Sequence, residues 1–271
     1  MNRIKREERT RTLEDKIIST YNDIKYSITE PYLLKKARKK NQVMPVDPFI
    51  SVYCPTYNRC ESLIGRAIPS VLAQTYRNFE FIIVGVCCTD DTIEVVSKIP
   101  NSKIRLLNLN ERGYRYPPTA ENHWFAGPVV AANKALELCS GEYIARIDDD
   151  DIWTPDHLEK LLGYSEQGNY EFVSSQYIEE RYGQQELKSQ ATSTWMYRSY
   201  LKFFKYNINC WRKQWNKVND KDFLDRVHKA GVRVGCLPEV TLTVKPRKGE
   251  DTIGIDAYCL DRKNKQEHYK F

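Results

Sequence analysis

The sequence predicts an α/β protein: a mainly parallel sheet flanked by helices, preceded by an N-terminal helical arm. Short apolar runs of strand length alternate with helical patterns from Phe49 onward. A chain of 271 residues, 41% hydrophobic and 29% charged, can bury a sizeable core and is too apolar to be disordered. No apolar run approaches the ~20 residues of a membrane helix. The opening residues MNRIKREERTR lack the apolar stretch of a secretory leader. The expectation is a soluble cytoplasmic protein in three parts: an arm and linker over 1–47, a main domain over 48–245 and a tail over 246–271.

In the arm, Leu13, Ile17, Tyr21, Ile24 and Ile28 recur at helical spacing, and Thr12 to Asp15 resembles a capping box. Pro31 is expected to end the helix, and Lys35, Lys36, Arg38, Lys39 and Lys40 then form a basic linker. Residues 1–47 carry 12 Lys/Arg against 7 Asp/Glu, and the remainder 30 against 29, so nearly all of the net +6 lies in the arm. Two readings fit: an amphipathic arm in peripheral contact with an anionic membrane, or a helix packed on the domain. The main domain shows no basic stripe with interleaved aromatics, so no nucleic-acid partner is expected.

The main domain opens with a strand over Phe49–Cys54, ended by Pro55. A helix follows over Glu61–Leu72, then a strand over Phe79–Val86. Thr89, Asp90 and Asp91 can cap the next helix, and Lys103–Leu109 is a third strand. Residues 110–127 read as a long polar and aromatic loop, with a helix from near Pro128 to Cys139. Tyr143–Ile147 is a strand and Pro155–Tyr164 a helix. Residues 165–218 carry no clear pattern. Lys221–Ala230 reads as a helix and Val232–Val244 as strand-like. The eight cysteines contain no C-x-x-C pair, which favours free, buried thiols.

Asp148, Asp149, Asp150 and Asp151 follow the strand directly. Four adjacent carboxylates repel one another, so the fold gains from a compensating charge. Ligands collect at the carboxyl ends of parallel strands. A hard divalent cation, Mg²⁺ or Mn²⁺, suits such oxygen donors and bridges them to phosphates. Asp148 and Asp150, as alternate residues, can aim at one ion. A solvated acidic turn capping the following helix is the competing reading.

The surrounding residues resemble family 2 glycosyltransferases, which have the Rossmann-like GT-A fold. The first strand with Pro55, Thr56, Tyr57, Asn58 and Arg59 is similar to their nucleotide-binding turn. Ser70–Tyr76, Phe79-Glu80 and Thr89–Thr92 follow in the family's order. Gly127-Pro128, Asn133 and Gly141–Ala145 then lead into an Asp-x-Asp at Asp148 and Asp150, with Trp153, Pro155 and Leu158 behind it. The resemblance implies inverting transfer of a sugar from a nucleotide diphosphate, a UDP-sugar first among candidates, to an acceptor hydroxyl on a saccharide or other molecule. It implies a metal at Asp148 and Asp150. It also implies donor contacts from Pro55, Thr56, Tyr57, Asn58, Arg59, Asn133, Lys134, Asp148 and Asp149. Tyr57 either stacks on the base or packs beside Asn58, and Trp153 forms a wall of the site. His123 and His157 are expected at the surface or in packing. Arg112, Tyr114, Arg115 and Tyr116 face the ligands or solvent, and His268 is a remote metal candidate.

Two positions depart from the family. Gly85 and Val86 stand where an Asp pair usually contacts the nucleotide base, and Ala132 stands where many members carry Arg, with Lys134 close by. The alternative function is therefore a catalytically inactive GT-A-like domain that binds a nucleotide or a partner. A sugar-nucleotide pyrophosphorylase would carry glycines after the first strand, and Cys54–Leu63 has none. For the base that deprotonates the acceptor, the match to the family's helix start is Asn219 to Leu224. It assigns Asp220 as base and Asp222 as its support. A helix cap at Asp220 is the competing reading.

Overall fold

The computed structural model describes residues 11–40, 45–111, 116–117, 119–213 and 219–260. Nine strands form one sheet: β1 (Ile50–Thr56), β2 (Phe79–Val86), β3 (Ile104–Leu109), β4 (Tyr143–Arg146), β5 (Ile152–Trp153), β6 (Phe172–Arg181), β7 (Gln184–Ser189), β8 (Met196–Arg198) and β9 (Val234–Val244). Their order is β3-β2-β1-β4-β8-β6-β9-β5, with β7 beside β6. β3, β2, β1 and β4 are parallel, so their carboxyl ends share one edge. Antiparallel β8 then joins β4 and β6, and the sheet becomes mixed.

Side chains alternate across the sheet. Tyr53, Ile82 and Val84 enter one core, while Val52, Cys54, Phe81 and Ile83 enter the other. Both faces are covered, which is why these strands read as unbroken apolar runs. β1 continues through Pro55 rather than ending there. Tyr53 accepts the last bond from the β4 side, from the Ile147 N–H at 3.0 Å. Pro55 faces the same side, past the paired part of β4, where no strand requires its missing N–H.

The helical run after β1 is α2 (Cys60–Ser62), a π-turn over Leu63–Ala67, and α3 (Ile68–Leu72). Pro69, in the first turn of α3, cannot donate one turn back, and the run widens just before it. α4 covers Thr92–Ser97, α6 His157–Gln167, α7 Asp220–Lys229 and α8 Gly254–Leu260. α5 spans Ala120–Leu138, so much of the expected 110–127 loop is helix. The Thr119 hydroxyl caps it, accepting from the Asn122 N–H at 3.2 Å, and Pro128 is carried inside the helix.

α1 spans Leu13–Lys40 and also departs from expectation: Pro31 lies inside it, and the basic cluster is helical rather than a linker. Thr12 and Asp15 exchange the two capping bonds, at 3.0 and 3.1 Å. Beyond Pro31 the helix is held by buried Leu34 and by Arg38, which donates to Glu171 Oε1 at 2.6 Å. The helix does pack on the domain, yet through Asp15, Ser19, Glu30 and Leu34, and its apolar stripe faces outward. The seven described cysteine side chains are free, and no described helix is long and apolar enough to cross a membrane.

Candidate active site

The shared carboxyl edge of β1, β2 and β4 carries the aspartates. Parallel pairing sets Tyr53 opposite Arg146, so the turns after β1 and β4 emerge side by side. A cavity of about 410 Å³ opens there, lined by Pro55, Thr56, Tyr57 and Arg59 on one side and by Asp148, Asp149 and Asp150 on another. Asn219, Asp220 and Lys221 line it from the start of α7, and Arg247 and Gly254 from the segment after β9. The expected tail thus contributes Arg247, Gly254 and Ile255 to the cavity wall.

The aspartates have different partners. The Thr56 hydroxyl donates to Asp149 Oδ2 at 2.7 Å. Arg146 donates twice to Asp148 Oδ1, at 3.0 and 2.9 Å, and the Asp148 N–H donates to Ser193 Oγ at 2.8 Å. Arg247 reaches Asp150 Oδ2 at 3.2 Å. Arg66 donates to the Asp150 carbonyl at 3.1 Å and ties it to the Lys245 carbonyl at 2.9 Å. Asp151 turns inward and is buried.

Burial and the Asp150 charge push the Asp149 carboxyl up to about 7. Burial and the same neighbour push Asp151 well above the usual carboxylate range. Burial also raises Asp148, against the pull of Arg146. A carboxylate cluster that binds protons this readily is under-compensated by its own cations. Its donors are hard oxygens, and they fit Mg²⁺ or Mn²⁺. Among the described residues no three His, Cys, Asp or Glu side chains form a ready-made cage.

Asp220 is the first residue of α7. Its Oδ2 accepts from the Thr192 hydroxyl at 2.7 Å, and its Oδ1 lies 3.5 Å from Arg146 Nη1 without a hydrogen bond. Arg146 therefore stands between Asp148 and Asp220. Asp222 lies outside the cavity lining, buried against Arg226 and Lys213.

The other expected residues divide similarly. Tyr57 lines the cavity and meets the His123 ring edge-on at 5.4 Å; His123 is buried in packing, one of the two expectations for it, and also lines the cavity. Asn58 is left-handed (φ 50°) and clamps the neighbouring turn: its Oδ1 accepts from the Thr89 N–H at 2.8 Å and its Nδ2 donates to Thr89 at 3.1 Å. Asn133 holds the Tyr206 backbone at 2.8 and 2.9 Å, and Lys134 pairs with Glu137 at 3.2 Å. Neither lines the cavity. Trp153 is buried behind the site, donates to the Ser193 carbonyl at 2.6 Å and stacks on His157. Gly85 is closely packed: a Cβ there would lie 2.8 Å from Asn108 Oδ1. Tyr116 is buried and bonds His123 Nδ1 at 3.0 Å, while Arg112, Tyr114, Arg115 and His268 lie outside the described residues.

Sequence reasoning missed Arg146, Arg66 and Arg247. For Arg146 a signal existed. It is a lone cation in an apolar strand, two residues before Asp148, and alternate residues of an extended chain share a face. Arg66 and Arg247 lie far from the aspartates in sequence and carried no such mark.

A family profile described as Glycosyl transferase family 2 matches residues 51–226. The chain is 37% identical over 126 residues to the putative colanic acid biosynthesis glycosyl transferase WcaA of Escherichia coli K12, covering 46% of this chain and 40% of that protein. It is 31% identical over 132 residues to the UDP-Glc:alpha-D-GlcNAc-diphosphoundecaprenol beta-1,3-glucosyltransferase WfaP of Escherichia coli, covering 49% and 47%. The chain therefore spans less than half the length of either relative. Among solved structures it is similar to S. aureus TarS in complex with UDP-GlcNAc (TM-score 0.60, 19% identity, 74% of this chain and 60% of that one). It is also similar to the mannosyltransferase PcManGT of Pyrobaculum calidifontis in complex with GDP-Man and Mn2+ (TM-score 0.55, 18% identity, 87% and 69%). These likenesses agree on the fold, and the profile spans the whole aspartate-bearing sheet edge: the chain belongs to glycosyl transferase family 2.

Proposed function

We propose that the protein transfers a sugar, with inversion, from a nucleotide-diphosphate donor to an acceptor hydroxyl on a saccharide or other molecule. The observation that carries this is the meeting of Asp148, Asp150 and Asp220 with the Pro55–Arg59 turn around one cavity. A UDP-sugar is the first donor to test, since WfaP is named as a UDP-Glc glucosyltransferase. Asp148 and Asp150 would hold Mn²⁺ or Mg²⁺, which offsets the charge of the diphosphate leaving group. Pro55, Thr56 and Tyr57 would receive the nucleoside, and Arg59 would face the phosphates. Thr56 holds Asp149. Asn58, Asn133, Lys134 and Trp153 would act on the donor only through the turns and walls they support. Asp220 would accept the acceptor's proton, and Asp222 would steady α7 through Arg226. Peripheral membrane contact through residues 1–47 belongs to the same reading.

The test is a donor panel with and without Mn²⁺, read by thermal shift and by product formation. Asp220→Asn is expected to keep donor binding and slow transfer by about 10²–10⁴-fold. Asp150→Asn is expected to lose the metal-dependent part of donor binding. Near-normal turnover in Asp220→Asn would move the base elsewhere. The second reading, a binding domain without turnover, is favoured by Gly85, which offers no carboxylate to the base and where a Cβ would lie 2.8 Å from Asn108 Oδ1. Donor binding with neither transfer nor donor hydrolysis would support it.

A further inference from the structure

α1 sorts its residues by chemistry in an unusual way. Its four carboxylates all meet cations of the domain: Glu14 and Asp15 meet Arg212 at 3.1 and 2.9 Å, Asp23 meets Lys213 at 2.6 Å, and Glu30 meets Arg226. The opposite face carries Leu13, Ile17, Tyr21, Ile24, Ile28 and Tyr32, each between 55% and 74% exposed. Steps of four, four, three, four and four residues align them in one stripe. At ~1.5 Å per residue the stripe is roughly 28 Å long. Lys35, Lys36 and Lys39 continue its line beyond Tyr32, Lys16 and Lys25 flank it, and these lysines are exposed. Among the described residues none of the five pairs with a carboxylate.

We infer that this outward face of α1 docks on an anionic lipid bilayer, lying in the interface plane. The inference rests on the reading of residues 1–47 as a membrane contact and is independent of the transfer chemistry. Its argument is charge complementarity. An apolar stripe flanked and continued by five exposed lysines, with Glu14 beside its first turn already held by Arg212 at 3.1 Å, matches acyl chains bordered by anionic headgroups. Tyr21 and Tyr32 can hold their rings in the apolar layer and their hydroxyls at headgroup level. The lysine stems extend over apolar surface while their ammonium groups reach the phosphates. A second copy of the chain fits less well, because the same face laid on itself would set five lysines of each copy against Glu14, which Arg212 already holds at 3.1 Å.

The test uses the full chain and sedimentation with phosphatidylcholine vesicles, with or without phosphatidylglycerol. Binding is expected only with phosphatidylglycerol and is expected to fall as salt is raised. The triple variant Ile17→Ser, Ile24→Ser, Ile28→Ser and the triple variant Lys35→Glu, Lys36→Glu, Lys39→Glu should each weaken binding more than about tenfold. The altered side chains are exposed, so thermal midpoints and donor-induced thermal shifts should stay at wild-type values. Unaltered binding in both variants would overturn the inference, as would failure of the wild type to bind. So would a wild-type dimer, seen by light scattering, that the serine variant dissociates. Donor binding measured on the same samples separates failure here from failure of the transferase reading.

Discussion

Arg146 and His157 are both buried, and each departs from the ordinary behaviour of its type for a visible reason. Arg146 keeps its charge because Asp148, Tyr206 and Asp220 surround it, which holds it well above its already high range despite burial. It therefore spaces Asp148 from Asp220, two anions that would otherwise repel. His157 has only the weaker pull of Asp156, which burial outweighs. Its Nδ1 meets the Thr241 hydroxyl at 2.7 Å, its ring stacks on Trp153 at 4.0 Å, and burial holds its pKa down to about 3 against an ordinary 6.5. The unfolded chain binds the proton first, so stability is complete above pH 6.5 and is lost as pH falls through the window toward 3. Within that window His157 adds a slope of about 1.4 kcal/mol per pH unit. Urea unfolding of the wild type and His157→Gln at a series of pH values should show the wild type losing more stability below 6.5. Parallel curves would mean that the folded protein accepts the proton readily.

α1 and α7 form one electrostatic unit. Arg226 on α7 is buried between Glu30 of α1 and Asp222, donates to the Lys205 carbonyl, and lies over the Tyr26 ring at 4.4 Å. Asp220 lies at the other end of the same helix. Arg226→Ala strands the buried Glu30 carboxylate and leaves Asp222 with Lys213 alone, and breaking such a set costs about 3–5 kcal/mol. The urea midpoint should drop by that equivalent with an unchanged slope; a loss below about 1 kcal/mol would show that water replaces the guanidinium. Both helices were legible in the sequence, but the ion pairs that join them were not. Strands β1, β2 and β4 were, because burial on both faces leaves an apolar run of strand length, and the half-buried edge strand β3 was through Ile104, Leu106, Leu107 and Leu109. So were the aspartates, because a turn at strand ends is local. β7, Gln184–Ser189, was not: it is a solvent-facing edge strand without apolar alternation. Nor was the early start of α5, because a single Thr119 cap outweighed the Pro128 signal for a helix start.

At the scale of the whole molecule the arm is part of the fold. Reading it from periodicity alone puts the start of the sheet at Phe49 and suggests that the core stays folded when residues 1–40 are removed. Hydrophobic spacing finds an apolar face and cannot find a face buried through charges that meet partners nearly two hundred residues away. Leu34 is buried in the same core cluster as Phe223 and Trp195. Without α1, Leu34 and its contacts are lost, Arg226 and Lys213 retain only Asp222, and Glu171 loses Arg38. Glu171 itself keeps Tyr200, Arg233 and the Arg233 N–H, so this site should survive better than the Arg226 cluster. Deleting residues 1–40 should therefore destabilise the domain by more than Arg226→Ala does, through lost burial of Leu34 added to the broken pairs. Urea unfolding of the truncated chain measures this directly, and donor-induced thermal shifts show whether the remaining domain still binds nucleotide. A truncated chain with the wild-type midpoint would mean that α1 is an appendage and that its inward ion pairs contribute nothing net to stability.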